Sequence, residues 1–510
     1  MTTALIQLSI VGPVLIPLLA AAVVPVLRRR DAVTRVATAG SAGVLAVAVP
    51  LAMTVTRNGP VTGVFGLLAV DALSGFMLLV IGSVALVVGL ATPGQLRVEV
   101  AAGRLDEHGR TRHLVLVQLF LAAMALAVLA GSLGVLWVSL ELTTVLTAFL
   151  VAQGRGRRAA EAAWKYVIIC STGIALALLG TFVLNAAAHH AGAGLDWAGL
   201  AAAAPHMDQG VTRLAVLLLV LGFGTKAGLA PLHAWLPDAH SQAPASVSAL
   251  MSGVLISVAF YAVLRVKVVA DLALGPEFAR GLLVAVSLAS IALAASLLIA
   301  QRDYKRMLAY SSIENMGLLA LGAAIGSPLA VAAVLLHLLG HGLAKSSLFL
   351  GAGRMLQLTG TSRIDGVRAL GARQPVLAWG FGLGVLAIIA LPPFSLFASE
   401  LGIVRAGFAG GLGWATAVAL LLVLVAAASL VGHTSRMLLG APPDDPADPG
   451  GPEPGPGGGL AVSTRRGTRL DAPAAAIILA LAACAVLGVT LGPLNGLLDQ
   501  AVSIVTGGRP

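Results

Sequence analysis

Four ionisable side chains lie inside long apolar runs of the sequence. Glu141 and Lys226 occur in LWVSLELTTVLTAFLV and LGFGTKAGLAP. Lys345 and Glu400 occur in LLHLLGHGLAKSSLFL and LPPFSLFASELGIV. A charge at the centre of a bilayer costs about 2.5–3.5 kcal/mol on insertion scales, so such residues are rare and usually functional. Two acids and two bases on separate apolar segments can pass a proton from one to the next, and this pattern predicts a proton relay.

Histidines and other polar residues accompany these four charges. His337, His341 and Lys345 recur at every fourth position and therefore share one face of a helix. The predicted relay and its secondary candidates thus extend to further positions, namely His233, His337, His341, Glu314, Ser257 and Asp238. The competing interpretation is that each group is a snorkelling or hydrogen-bonded structural residue, which is common for a single histidine or lysine.

Lys226 is the residue whose protonation we expect to switch. Burial favours the neutral amine, whereas a nearby carboxylate such as Glu141 favours the ammonium. A change in the influence of Glu141 would therefore turn Lys226 from a proton acceptor into a proton donor. Pro231 and Pro237 follow Lys226, and LPPF at 391–394 precedes Glu400. Proline interrupts a helix, and paired interruptions in the two halves of a transporter indicate its ion site.

The composition is that of a membrane protein. Of the 510 residues, 58% are hydrophobic and only 11% are charged, whereas soluble proteins carry about 25% charged residues. We predict an all-α polytopic membrane protein, because apolar runs long enough to span a bilayer recur along the chain. Fourteen spans are predicted, at 4–27, 35–55, 64–91, 113–131, 133–152, 162–187, 212–230, 246–264, 281–300, 307–326, 328–350, 376–409, 411–434 and 472–498.

The basic residues predict the orientation of these spans. Loops after odd-numbered spans hold 23 of the 32 Lys and Arg residues, and the other loops and ends hold seven. This bias places the odd loops in the cytoplasm and both termini outside a bacterial cell membrane. Lys226 and Lys345 are the two cations that the loops do not explain. Topology also accounts for the net charge of +10, so we expect no nucleic acid partner.

Span counting predicts an internal repeat. Spans 4–8 and 9–13 form two blocks of five, and an odd number of spans inverts the second block, with spans 7 and 12 broken. We predict an N-terminal three-helix segment at 1–112 and repeats at 113–268 and 269–438. A Pro/Gly-rich cytoplasmic linker at 439–471 and a C-terminal transmembrane helix at 472–510 follow.

The motifs resemble those of the antiporter-like proton-translocating membrane subunits. The strings that carry the resemblance are GTKAGLAPLHAWLPDAHSQAPASVSALMSG, QRDYKRMLAYSSIENMG, LLGHGLAKSSLFLGAG and LPPFSLFASE. The family includes large membrane subunits of respiratory complex I, subunits of multisubunit cation/proton antiporters and subunits of membrane-bound hydrogenases. The form of the first two strings is most similar to hydrogenase-4 component F.

The resemblance implies a role for each relay residue. Glu141 is implied as the acid of the fifth helix, and Lys226 as the lysine of the broken seventh. Lys345 or His341 is implied as the central site of the eleventh helix, and Glu400 as the terminal acid of the twelfth. Some relatives carry a lysine on the eighth helix where this chain has Ser257. The link between the two half-channels would then run through water, Ser257 or a histidine.

Three functions remain open from the sequence. The first is a proton-pumping subunit of a hydrogenase-type or complex I-type redox complex, with other membrane subunits and a soluble redox arm as partners in the lipid membrane. The second is a subunit of a sodium- or potassium-linked proton antiporter, and the third is a scaffold that does not transport ions. The chain lacks CxxC and haem motifs, and its two cysteines lie in predicted spans, so we expect no cofactor and no metal in this chain.

Overall fold

The computed structural model describes residues 3–27, 29–154, 156–440 and 471–507, and this part of the chain is almost entirely helical. Apart from its ends, the predicted 439–471 linker lies outside the described residues. The described α-helices are α1 Thr3–Val23, α2 Arg30–Asn58, α3 Ala72–Ala101, α4 Glu107–Val128, α5 Leu133–Val151, α6 Arg157–His190, α7 Trp197–Ala203, α8 Gln209–Lys226, α9 Trp235–Gln242, α10 Ala245–Leu250, α11 Ile256–Leu274, α12 Pro276–Ile299, α13 Tyr304–Ile325, α14 Pro328–Thr359, α15 Leu370–Arg373, α16 Pro375–Ile388, α17 Ser395–Ala409, α18 Gly413–Leu439, α19 Ala472–Val489 and α20 Asn495–Thr506.

The number of membrane-crossing segments matches the prediction. Within the described residues, 13 helical segments are long and apolar enough to cross a membrane. One of them joins α10 and α11 through a π-helical turn at Met251–Leu255. The remaining predicted span is divided between α16 and α17, of 14 and 15 residues. The prediction of a polytopic helical membrane protein with about fourteen spans is therefore confirmed.

Both predicted helix breaks are present beside a relay candidate. α8 ends at Lys226 and α9 begins at Trp235, while α16 ends at Ile388 and α17 begins at Ser395. In the first break Gly228 has a φ of +80°, a conformation that residues with a Cβ rarely adopt. The chain therefore leaves the helical path directly after Lys226.

The predicted start of the third span, residue 64, is wrong. Strands β1 Val61–Gly63 and β2 Leu68–Val70 pair antiparallel in this region, and the helix begins only at Ala72. Val64, Phe65 and Gly66 all have positive φ values, so they reverse the chain between the strands. The apolar composition of this stretch favoured a helix, but the chain reverses at these residues and forms a β-hairpin instead.

Two other predicted boundaries also move. The predicted last span ends early, because α19 stops at Val489 and the Gly492–Leu494 turn separates it from α20. The eighth span is longer than predicted, because the helix continues to Leu274 before Gly275 ends it. Arg265 and Lys267 therefore lie within α11 and not in a loop.

The buried Arg265 is the centre of a polar contact between the N-terminal helices and α11. Its guanidinium is bidentate on Asp71, at 2.6 and 2.7 Å, and its Nε donates to the Tyr261 hydroxyl at 2.9 Å. Asp71 also caps α3 by accepting from the Ser74 amide at 2.9 Å. Tyr261 in turn donates to the Val128 carbonyl at the end of α4. One network thus fixes α3, α4 and α11 relative to each other.

We expect Arg265→Leu to lower the free energy of unfolding by about 3–5 kcal/mol, because it leaves the Asp71 carboxylate without its buried partner. Unfolding of the full chain by sodium dodecyl sulfate in mixed micelles measures this change. The matched control is Glu277→Ala. The Glu277 side chain is 77% exposed and forms an ion pair with Arg280, so its loss should cost about 0–1 kcal/mol. Equal effects of the two substitutions would contradict the anchoring role of Arg265.

Candidate functional site

Lys226 ends α8 and is fully buried. Its Nζ donates to the Leu140 carbonyl at 2.6 Å and to the Thr144 hydroxyl. Among the described residues, no carboxylate oxygen lies within 4.0 Å of this nitrogen. The amine is therefore held by two neutral acceptors on α5 and has no ion-pair partner.

Close packing of α8 on α6 determines where Lys226 lies. A Cβ on Gly222 would be 2.6 Å from the Ala177 nitrogen and 2.6 Å from the Gly173 carbonyl oxygen. Only a glycine therefore allows the two helices to approach this closely. Beyond the break, Trp235 donates from its indole to the Thr225 carbonyl at 2.8 Å. The acceptor of this bond is in the last turn of α8, whose carbonyls have no partners within the helix.

Glu141 follows Leu140 on α5 but does not contact Lys226 directly. It is half-buried, and one carboxylate oxygen is buried without a hydrogen-bond partner. Its neighbours Val138, Leu142 and Val145 are about half exposed. Glu141 acts on Lys226 through electrostatic interaction alone. The acid thus lies at the lateral surface of the bundle, one step away from the amine.

Lys345 has nearly the same surroundings in the second half of the chain. It is fully buried in α14, and its Nζ donates to the Leu308 carbonyl at 2.7 Å and to the Ser311 hydroxyl of α13. No described carboxylate is within 4.0 Å, although Glu314 interacts with it electrostatically. Glu314 itself accepts from the Asn315 amide at 2.6 Å. Each buried lysine is therefore bound by a carbonyl and a hydroxyl, with an acid farther away.

The two histidines of α14, His337 and His341, add to the buried polar side chains that include Lys226 and Lys345. We call this set the polar row. His337 is hydrogen-bonded through Nδ1 to the Ser399 hydroxyl at 3.0 Å and through Nε2 to Asn315 Oδ1 at 2.9 Å. The His341 ring stacks on the His337 ring with centroids 6.2 Å apart. Both nitrogens of His341 are buried without a hydrogen-bond partner in the described structure. His341 therefore has hydrogen-bonding capacity to spare beside Lys345.

Glu400 lies at the far end of the row, on α17. It is half-buried, next to Phe397 and Leu401, which are 40% and 45% exposed. Glu400 and Glu314 interact electrostatically. A Cβ on Gly340 would collide with the Ser395 hydroxyl, so α17 packs tightly on α14. Like Glu141, Glu400 lies where the polar row meets the lateral surface.

Ser257 is fully buried on α11. Its hydroxyl donates to the Gly253 carbonyl of its own helix at 3.1 Å. The π-helical turn before it instead brings Ser252 to Ser312 of α13, with the two hydroxyls 2.9 Å apart. Single π-turns inside α-helices are frequent at functional sites.

His240 is the residue that sequence reasoning missed. It is fully buried on α9, its ring stacks on Phe349 at 4.6 Å, and neither ring nitrogen has a hydrogen-bond partner in the described structure. It interacts electrostatically with Lys345. The available signal was its position as the second histidine of HAWLPDAH, in the segment that follows the break.

His233 and Asp238 lie away from the row. His233 is partly exposed, and its Nδ1 is 3.2 Å from the Pro231 carbonyl oxygen. Asp238 forms ion pairs with Lys165 of α6 at 3.1 Å and with Arg306 of α13 at 3.2 Å. Asp238 therefore holds α9 between two other helices. Within the described residues, no group of three or more His, Cys, Asp or Glu side chains is arranged to hold a metal ion.

Comparison with known proteins assigns the chain to a family. The model of the NADH:quinone oxidoreductase/Mrp antiporter transmembrane family matches residues 130–426. The chain belongs to this family. The matched region contains every relay candidate from Glu141 to Glu400.

Relatives and solved structures agree with this assignment. The chain is 38% identical to a hydrogenase-4 component F homolog of Methylacidiphilum infernorum, over 67% of this chain and 72% of that protein. It is 27% identical to a Na(+)/H(+) antiporter subunit of Bacillus subtilis, over 79% and 81%. Its fold is similar to a chain of the archaeal membrane-bound sulfane sulfur reductase, with a TM-score of 0.83 at 24% identity and 98% coverage of both chains. The resemblance to the antiporter-like subunits is thus confirmed, and relatives of this kind are subunits of membrane complexes.

We expect Gly222→Ala to destabilise the chain by about 1–3 kcal/mol, because the added methyl group must push α8 away from α6. The same substitution at Gly281, where an added Cβ meets nothing within 4 Å, should be neutral or stabilise by up to about 1 kcal/mol. Thermal unfolding of the two variants in detergent measures the difference. If Gly222→Ala were as stable as Gly281→Ala, tight α6–α8 packing would not be what positions Lys226.

Proposed function

We propose that this chain is the proton-translocating membrane subunit of a redox-driven complex of the membrane-bound hydrogenase or NADH-quinone oxidoreductase type. The observation that carries the proposal is the pair of fully buried lysines, Lys226 and Lys345, each without an ion-pair partner within 4.0 Å in the described structure. A buried unpaired amine is costly, and intramembrane ionisable groups usually mark ion pathways. A need for the amine to gain and lose a proton would explain why the chain keeps this destabilising group.

The contacts of each lysine suit such a change. Carbonyl and hydroxyl oxygens accept a hydrogen bond from both an ammonium and an amine, so Leu140 and Thr144 can hold Lys226 in either state. A carboxylate in direct contact would instead fix the charged form. Glu141 acts from a distance, so a small movement of α5 or a charge change next to Glu141 would shift Lys226 between its charged and neutral forms. The same reasoning applies to Lys345 and Glu314.

The proposed path runs along the polar row of the interior. Its members are Glu141, Lys226, His240, Lys345, His341, His337, Glu314 and Glu400. Of the three links that the sequence left open, water, Ser257 or a histidine, we propose a histidine, His240, because both its ring nitrogens lack partners in the described structure and it interacts with Lys345. A neutral imidazole accepts a proton on one nitrogen and releases one from the other. Water would carry the proton between Lys226 and His240.

Partner subunits would cover the two ends of the row. Glu141 and Glu400 are half-buried acids surrounded by exposed apolar side chains, and lipid tails offer such acids no hydrogen bonds. We propose that other membrane subunits cover these two surfaces, that lipids cover the rest, and that a soluble redox arm supplies the energy. This chain would bind no redox cofactor itself.

The proposed setting follows from the basic loops. We place the chain in a bacterial cell membrane with both termini outside and with the basic loops and the 439–471 linker in the cytoplasm. We also propose the division into a three-helix segment at 1–112, inverted repeats at 113–268 and 269–438, and a C-terminal part at 472–510. The two helix breaks at equivalent positions of the repeats support this division.

We expect Lys226→Met and Lys345→Met each to reduce proton translocation by about 100-fold or more, the usual cost of losing a positioned proton acceptor. Methionine keeps the chain length and polarisability but cannot be protonated. The assay is proton uptake driven by electron transfer in proteoliposomes that contain the whole complex. The matched control is Arg213→Met, since Arg213 is an exposed cation of α8, the helix that carries Lys226.

Uptake at the wild-type rate in both Lys226→Met and Lys345→Met would refute the relay and favour a scaffold. Sodium- or potassium-coupled proton movement that continues without electron transfer would favour the antiporter function. The identity of 27% to a Na(+)/H(+) antiporter protein across most of both chains makes this second outcome worth measuring.

We expect His240→Phe to slow proton uptake by about tenfold or more, because phenylalanine keeps the stacking on Phe349 but cannot carry a proton. Ser257→Ala should leave the rate unchanged, since the Ser257 hydroxyl bonds only its own helix. The same proteoliposome assay compares the two variants. If Ser257→Ala slowed proton uptake and His240→Phe left the rate unchanged, Ser257 and not His240 would link the two halves.

A further inference from the structure

A second polar feature lies far from the proton relay, at the basic end of the N-terminal helices. A cavity of about 560 Å³ opens where α1 ends and where α2 and α4 begin. Its polar lining includes Arg30, Arg110 and Arg112, with Glu107 as the single carboxylate. Three guanidinium groups against one carboxylate give the cavity a net positive charge.

The basic groups of the cavity are built into the fold. Arg110 is 6% exposed, its Nε lies 3.2 Å from Glu107, and its Nη2 donates to the Arg30 carbonyl at 3.3 Å. Arg30 contacts the other Glu107 oxygen at 3.1 Å. Glu107 thus holds Arg30 and Arg110 in place and offsets one positive charge. Arg112 is exposed at the rim and has no ion pair within 4.0 Å in the described structure.

The start of α2 adds to the attraction for an anion. No side chain caps the first turn of this 29-residue helix, whose preceding residue is Arg29. The free amide groups and the helix dipole at such an end favour negative charge. Asp31 in this first turn already supplies one negative charge, so the arginines remain the main attraction for an anion.

The other half of the cavity is apolar. Pro25, Leu27, Val33 and Val115 line it. Below it, Val24, Val33, Ala37, Leu96 and Leu114 form a small hydrophobic cluster of their own. Beside it Val26 is 78% and Val23 is 42% exposed, so the apolar surface continues down the outer face of α1. A free phosphate ion would leave this apolar surface in water.

We propose that this cavity binds an anionic phospholipid, with the phosphate at Arg30, Arg110 and Arg112 and an acyl chain along the end of α1. Basic pockets between membrane helices on the positively charged side are suited to anionic head groups. The ligand would add a further contact between α1, α2 and α4, which the small hydrophobic cluster and the Glu107 ion pairs already connect here. The site would therefore stabilise the packing of the first two helices against α4.

Native mass spectrometry of the full chain, purified in mild detergent with its co-purifying subunits, tests the proposal. The probes are dioleoyl phosphatidylglycerol, dioleoyl phosphatidylcholine and inorganic phosphate. We expect phosphatidylglycerol to be retained over phosphatidylcholine, and Arg30→Gln and Arg112→Gln each to weaken its binding about fivefold, as for one basic residue near an anionic surface. The matched control is Arg302→Gln, an exposed arginine on the same predicted side, which should change nothing.

Four results would overturn the proposal. Equal retention of the two lipids, or equal phosphatidylglycerol binding by the wild type and the double Arg30→Gln, Arg112→Gln variant, would show that the cavity is not a head-group site. Displacement of phosphatidylglycerol by excess inorganic phosphate would show a site for a free anion. Cross-linking of a co-purifying subunit to an Arg112→Cys variant would show that a protein covers the cavity.

Discussion

The need to hold an amine in the membrane interior without a counter-ion governs the structure around both lysines. Each ammonium must have acceptors, because an unsolvated charge in an apolar medium costs many kcal/mol. Helix backbones offer few such acceptors in mid-helix, because their carbonyls are already bonded. Leu140 and Leu308 nevertheless accept from Lys226 and Lys345 through a second lone pair, and Thr144 and Ser311 complete the shell. The neighbouring helix must therefore approach closely.

Small residues let the helices that carry the two lysines pack closely on other neighbours as well. Gly222 against Gly173 brings α8 to α6, and Gly340 against Ser395 brings α17 to α14. Once α8 stops at Lys226, the chain must leave the helix and return as α9, which carries His240 into the interior. Two residues then hold α9 on the side that carries the basic loops. Asp238 forms ion pairs with Lys165 and Arg306, and Lys305 donates to the carbonyls of Ser241 and Ala243. The break thus positions a second ionisable group.

Much of this could be predicted because it depends on local sequence. Apolar run length predicted the spans, and prolines predicted both breaks. Residue 64 was placed in a helix because hydropathy does not report the positive φ values of Val64 and Phe65. The sequence predicted that Glu141 influences Lys226 but could not give the geometry. Lys226 binds the carbonyl of Leu140, whereas the next residue, Glu141, lies at the lateral surface. His240 was missed because its environment is created by Phe349, more than 100 positions away.

Arg265 shows why a buried cation alone does not mark a relay. Like Lys226 it is buried within the helical bundle, yet Asp71 satisfies it bidentately and Tyr261 accepts from its Nε. Guanidinium stays charged at any physiological pH, so this pair can only hold helices together. The lysines differ in both respects: their amines can lose a proton, and their immediate acceptors are neutral. Arg265 with its contacting carboxylate therefore suits anchoring, whereas Lys226 and Lys345, with neutral acceptors and distant acids, suit a charge that must change.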